Sequence, residues 1–198
     1  MALSRSLLIS NEKSAIADTF INELRNIRYR NGIIDSFLDR LHYTTQWIVE
    51  NERTGRVRDV TAELGGSKRT IVFSQMSEYM KKDRRFINRP DFVSKMQGYE
   101  AILSKTPQCY ILTDKIESIL DKLCPGDIIC FVATISGLDT VHVSVFAGFT
   151  PGCDVPTIIH ASSKAKRVLV EPKGLVAYTR QRKNTQGIIV VRPVNIEK

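Results

Sequence analysis

Apolar residues recur at helical spacing through the first half of the chain and cluster or alternate through the second. Over residues 14–28, Ile16, Phe20, Leu24 and Ile27 fall on one stripe, and Ile34, Leu38, Leu41 and Ile48 repeat it after a break at Asn31 and Gly32. The spacing predicts two amphipathic helices joined by a turn. Pro90 then stands at a first helical position ahead of Phe92, Met96, Tyr99 and Leu103, predicting a helix over 90–104. Between them Gly65 and Gly66 mark a loop, and TIVF (70–73) reads as a short strand.

After Pro107 the pattern changes. CYIL (109–112) reads as a strand, 114–123 as a helix, and Pro125-Gly126-Asp127 as a turn opening the apolar run IICFVAT. In TVHVSVFA (140–147), Val141, Val143, Val145 and Ala147 alternate with His142, Ser144 and Phe146. TIIHAS (157–162), RVLVE (167–171) and GIIVVRP (187–193) supply further strands. Short strands closely spaced by Gly and Pro turns predict an antiparallel sheet and an α+β class, a helical part over about 1–105 followed by a strand-rich part over about 106–198. Among 198 residues this is one domain, long enough for one substantial core.

Composition narrows the partners. Lys and Arg outnumber Asp and Glu by 29 to 21, a net charge of +8, which favours an anionic partner such as nucleic acid, a membrane surface or a cell-wall polymer. Three basic runs, KKDRR (81–85), SKAKR (163–167) and TRQRKN (179–184), would suit a non-catalytic module for an anionic polymer. Aromatic residues are sparse around them, so nucleic acid is the weaker partner. The four cysteines form no C-x-x-C pair, which argues against zinc and for free thiols. No apolar run is long enough to span a membrane, and the opening MALSRSLLIS is too short in its apolar stretch for a signal peptide.

Candidate chemistry lies at the histidines. His142 shares a strand face with Ser144 and Phe146, and His160 ends a neighbouring strand, so the two imidazoles can meet, one as general base and the other fixing its tautomer. Each could instead be a satisfied histidine at the core margin. The third, His42, sits in RLHYTTQWI with Arg40, Tyr43 and Trp47 on two turns of predicted helix, either lining a groove or anchoring the core.

PGDII, GLDTVHVSVF, IIHASSKAKRVLV and GIIVVRP, together with IRYRNG, RLHYTTQWIVEN and FSQMSEY in the helical half, resemble the N-acetylmuramoyl-L-alanine-amidase-like family within the NlpC/p60 superfamily of papain-like cysteine peptidases and amidases. The resemblance runs from about Phe20 onward. It implies a small antiparallel sheet packed on helices, a nucleophilic cysteine opening a helix, His142 as general base, His160 orienting it, and the Asp127 turn shaping entry to a strand. Arg40, His42, Tyr43, Trp47, Asp139 and Ser162, which lie in the same motifs, are the candidate substrate contacts. The implied reaction is hydrolysis of amide bonds in peptidoglycan, without metal or cofactor, in the cell envelope or periplasm.

The pattern departs at the nucleophile. It belongs ahead of the first helices, yet no cysteine precedes Cys109, and Cys124, Cys130 and Cys153 follow later still. Met1, Leu3, Leu7 and Leu8 already lie on a helical stripe with no capping residue in front. The expectation is that Met1 is an internal methionine of a longer protein, with the nucleophile upstream, so that this polypeptide is truncated or inactive as given.

Overall fold

The computed structural model describes residues 1–10, 13–152 and 154–194. Helix α1 (Ala2–Ile9) opens without a side-chain cap and packs on α2 (Lys13–Arg28). The second predicted helix is not continuous. A single 3₁₀ turn, Phe37–Asp39, is closed by a capping box in which Ser36 and Asp39 satisfy each other's backbone, and Arg40 and Tyr43 are extended. Arg40 pairs instead with Tyr29 in an isolated bridge, and α3 (Thr44–Arg53) begins afresh. The spacing of Leu38, Leu41 and Ile48 therefore anchors a loop and a shorter helix. Helices α4 (Gln75–Lys82) and α5 (Pro90–Leu103) complete the helical part, the second starting at the expected proline.

Among the described residues eight strands form one antiparallel sheet: β1 (Val57–Asp59), β2 (Ser67–Arg69), β3 (Gln108–Leu112), β4 (Ile128–Ala133), β5 (Thr140–Gly148), β6 (Thr157–Ser162), β7 (Arg167–Val170) and β8 (Thr185–Pro193). The order is β2-β3-β8-β4-β5-β6-β7, with β1 also on β8. TIVF is not a strand: Val72 is 72% exposed while Phe73 is buried in a small cluster with Tyr43 and Leu103. The pairing falls just before it, on β2. The segment expected as a helix over 114–123 is a 3₁₀ helix, Thr113–Lys122. Gly187 permits β3 to approach β8, because a Cβ there would stand 2.1 Å from the carbonyl oxygen of Ile111.

The sheet is covered on both faces. On one, Ile129, Phe131, Phe146, Ile158, Ile188 and Val190 pack under the 113–122 segment and α6 (Gly174–Gln181). On the other, Cys130, Val132, Ile189 and Val191 pack against Ile48 of α3. The burial of β5 is the reverse of what its valines suggest. Ser144 and Phe146 are each 3% exposed, whereas Val143 and Val145 are 44% and 41% exposed. Removal of Phe and Ile from water holds the first face; the cover on the second ends before it reaches these valines.

Candidate active site

His142 lies on the well-packed face of β5, beside an irregularity that sets its orientation. Phe131 pairs with His142 but Val132 pairs with Thr140, so Val141 is an extra residue and turns to the same side as the imidazole. One strand over, β6 brings up His160. Its Nδ1 lies 3.0 Å from Nε2 of His142, with the rings nearly perpendicular. The hydroxyl of Tyr178, on α6, is 3.4 Å from the same Nδ1. Beyond, Nε2 of His160 is 3.5 Å from Oε2 of Glu171 and has no hydrogen-bond partner among the described residues. Glu171 is pinned where β7 turns into α6: its backbone N–H donates to Ile158, its carbonyl accepts from the Thr157 hydroxyl, and its Oε1 accepts from the N–H of Lys173.

Proton inventory orders this row. A carboxylate only accepts, so it favours the hydrogen on Nε2 of His160. That leaves Nδ1 of His160 as acceptor for Nε2–H of His142, and the lone pair of His142 on its Nδ1. Burial first, then the charges of Arg182 and His160, pull the His142 imidazole down to about 4, so it is a neutral base at physiological pH. Beneath it lies the Phe131 ring, 5.6 Å away between centroids. The row lines an open cleft of about 510 Å³ with Ser162, Lys164, Lys173 and Arg182.

The other candidates are placed elsewhere. His42, Tyr43 and Trp47 line an apolar groove of about 370 Å³ with Cys130, Val143 and Val145, on the opposite face of β5. The Nε2–H of His42 donates to the Phe37 carbonyl at 2.8 Å, and the Tyr43 hydroxyl donates to the buried Glu100. Arg40 is exposed. Asp139, 1% exposed, accepts from the backbone N–H of Thr45 in the first turn of α3 and of Thr140, fastening α3 to β5. Ser162 alone among the six substrate-contact candidates lines the histidine cleft. Asp127 does shape its turn: it accepts from the N–H of Cys124 and from both Nε and Nη2 of Arg192.

Of the cysteines, Cys130 points into the apolar groove, its thiol pushed up by burial, and Cys124 and Cys109 lie in the turn before β4 and in β3. None of these three lines the cleft, and Cys153 lies outside the described residues. Glu171, Tyr178 and Arg182 escaped sequence reasoning. Their signal was present only as a carboxylate, a phenol and a basic run near the second histidine.

An eight-stranded antiparallel α+β fold with paired imidazoles on one wall defines the class. The chain belongs to the AmiA-like family, N-acetylmuramoyl-L-alanine amidase-like, whose model matches residues 5–188. It is similar to an N-acetylmuramoyl-L-alanine amidase of Bacteroides uniformis, at 28% identity over 98% of this chain and 81% of that one, with a TM-score of 0.86. It is also similar to a Bacteroides fragilis protein described as a candidate xylanase, at 31% identity over 96% and 83%, TM-score 0.85. A Legionella pneumophila protein of 16% identity, over 98% and 74% with TM-score 0.66, shares the fold. No curated protein matches.

Proposed function

We propose that this is a cell-wall amide hydrolase of the NlpC/p60, papain-like type, acting on peptidoglycan at the N-acetylmuramoyl-L-alanine junction or in the stem peptide. The observation that carries the reading is the row His142, His160, Glu171, a base with its own orienting partner on the wall of an open cleft. In the reaction, Nδ1 of His142 takes the proton of a cysteine thiol. The thiolate attacks the amide carbonyl, and the imidazolium returns the proton to the leaving amine; water, giving its proton to the same imidazole, then cleaves the thioester, releasing the carboxylate and the thiol. His160 and Glu171 hold the ring in the tautomer that leaves Nδ1 free to take the proton, as the third member of a triad orients its histidine. Hydrolysis of a glycosidic bond would call for two carboxyl groups across the cleft; its lining holds Glu171, turned to His160.

No cysteine among the described residues lines the cleft, and we propose that the thiol lies on a helical segment leading into α1. Leu3 and Leu7 of α1 are each 56% exposed, and Val143 and Val145 stand open above the apolar groove, surfaces suited to further helix. The site of action is accordingly the cell wall or periplasm. No helix among the described residues is long and apolar enough to cross a membrane.

Two measurements test this. The genomic frame upstream of Met1 is expected to encode a cysteine within about a dozen codons, on the reasoning that a helix N-terminus lowers the thiol pKa; an in-frame stop directly before Met1 refutes it. The present chain is expected to release almost nothing from purified sacculi, whereas the extended form cleaves them and loses about 10³-fold or more on His142→Ala. Turnover by the present chain that survives alanine at positions 109, 124, 130 and 153 but not His142→Ala overturns the account.

A further inference from the structure

The histidine cleft is lined by three cations and one carboxylate. Lys164, from the β6–β7 turn, Lys173, ahead of α6, and Arg182, at its end, face the same opening. Glu171 is the one acid in the lining, and it is engaged with His160. Two of the three basic runs of the sequence thus converge here. By contrast, Lys81 pairs with Glu78, Arg85 with Asp83, and Arg180 with Glu117.

Arg182 is the unusual member. Its Nη1 donates to the Tyr178 hydroxyl at 2.8 Å and its Nη2 to the Val141 carbonyl at 3.2 Å. Its guanidinium lies 5.6 Å from the centroids of both Phe131 and Tyr178, and its Nε is buried without a partner. All of these neighbours are neutral. The partly buried Arg5, Arg56 and Arg192 each face a carboxylate, Glu23 for the first two and Asp127 for the third. A desolvated cation without a counter-ion is costly, and Arg182 spends that cost beside the base, where it lowers the basicity of His142. An anion entering the cleft relieves both effects.

We propose that the cleft binds a free carboxylate of its substrate, with Arg182 as the principal counter-ion and Lys164 and Lys173 at the rim. The proposal rests on reading the cleft as the substrate site, and it adds the chemical class recognised beside the scissile bond: a peptide that carries a carboxylate where its amidated form carries a carboxamide. A planar guanidinium matches a carboxylate in shape as well as charge, and a rim of two lysines draws it in from solvent.

The test is titration of the protein, followed by NMR, with two pairs of probes: glutarate against glutaramide, and N-acetyl-L-alanyl-γ-D-glutamyl-L-lysine against the same peptide with every carboxylate made carboxamide. The acid of each pair is expected to bind about tenfold more tightly, the strength of one charge-assisted pairing. Arg182→Gln removes the preference and Arg182→Lys restores part of it. Because Arg182 also packs on two rings, the double variant Lys164→Gln/Lys173→Gln, at exposed positions, gives an independent reading and narrows the ratio severalfold. Equal binding of acid and amide, binding of neither, or a ratio untouched by both sets of variants overturns the proposal. Preference for glutarate with no binding of either peptide leaves the carboxylate site standing and removes the cell-wall reading. Equal binding of both peptides by a protein that cleaves them does the reverse.

Discussion

The two faces of β5 each carry a histidine neighbourhood, and the two look alike by the usual signs of a site. His42 and His142 are both half-buried, both stand against a phenylalanine ring, Phe37 at 4.4 Å and Phe131 at 5.6 Å, and both have imidazoles held below their ordinary pKa chiefly by burial. Each lines a recess. What separates them is the partner of the ring. His42 spends its Nε2 on the Phe37 carbonyl, a backbone group that anchors a loop. His142 spends its Nε2 on a second imidazole, which is backed by a carboxylate. A lowered pKa is therefore a sign of desolvation that both rings share; only His142 has a titratable neighbour that can fix its tautomer, which is why the proposed base is His142 and not His42.

The comparison can be broken most forcefully from beneath. Phe131 is wholly buried and floors the cleft under His142, Tyr178 and Arg182. Phe131→Ala is expected to cost about 3–5 kcal/mol in urea unfolding. Trp47, which plays the corresponding part in the apolar groove but is only partly buried there, should cost about 1–2 kcal/mol as Trp47→Ala. Equal losses would mean that the groove is closed core.

Smaller effects distinguish the histidines themselves. His42→Ala removes a part-buried hydrogen bond to the Phe37 carbonyl, expected to cost about 1–2 kcal/mol. His142→Ala is expected to change stability by less than about 1 kcal/mol, since Nδ1 of His160 keeps the Tyr178 hydroxyl within reach. A small loss is what the proposed role of His142 as a base, and not as a packing group, entails. If His142→Ala proves the more damaging of the two, the imidazole pair is a packing device and the proposed base loses its footing.

Much of this geometry was legible beforehand, and the parts that were not share a cause. β4, β5, β6 and β8 announce themselves through β-branched runs between turn residues, and period-two alternation puts His142 on one face of its strand. Adjacent antiparallel strands did the rest, so the meeting of the imidazoles was readable. The direction of that face was not. Valines read as the inward side, but a sheet covered on both faces buries whichever side has the longer cover, and here α6 and the 113–122 segment outreach α3. In sequence Glu171 reads as the end of a strand; its approach to His160 depends on the β6–β7 register, which pairs His160 with Leu169, and on the turn into α6. Helix α6 itself, eight residues starting at a glycine with positive φ, is too short for periodicity to reveal, and it carries Tyr178 beside Arg182. The false helix over Ile34 to Ile48 has the same origin, because an apolar spacing satisfied by a loop and a helix start is indistinguishable in sequence from one satisfied by a helix.

The finest discrimination comes from acid. Both imidazoles are held below 6.5 in the fold, so on acidification the unfolded chain takes up protons that the folded chain refuses. Stability is then complete above about pH 6.5 and declines as the pH falls, for His142 through the window down to about 4. The two contributions point the same way in a bulk unfolding curve, but their electrostatic causes differ. Arg182 and His160 are the charges acting on His142, and Arg40 is the one acting on His42. Followed by the ring-proton shifts of each histidine, Arg182→Gln should raise the His142 midpoint and leave that of His42 in place, while Arg40→Gln does the converse with a smaller displacement, because Arg40 is exposed and its charge is screened. Midpoints that move together in either variant would show that both rings report one global opening. In that case the two faces of β5 are not independent, and the distinction between an anchoring imidazole and a reacting one would have to rest on the second histidine alone.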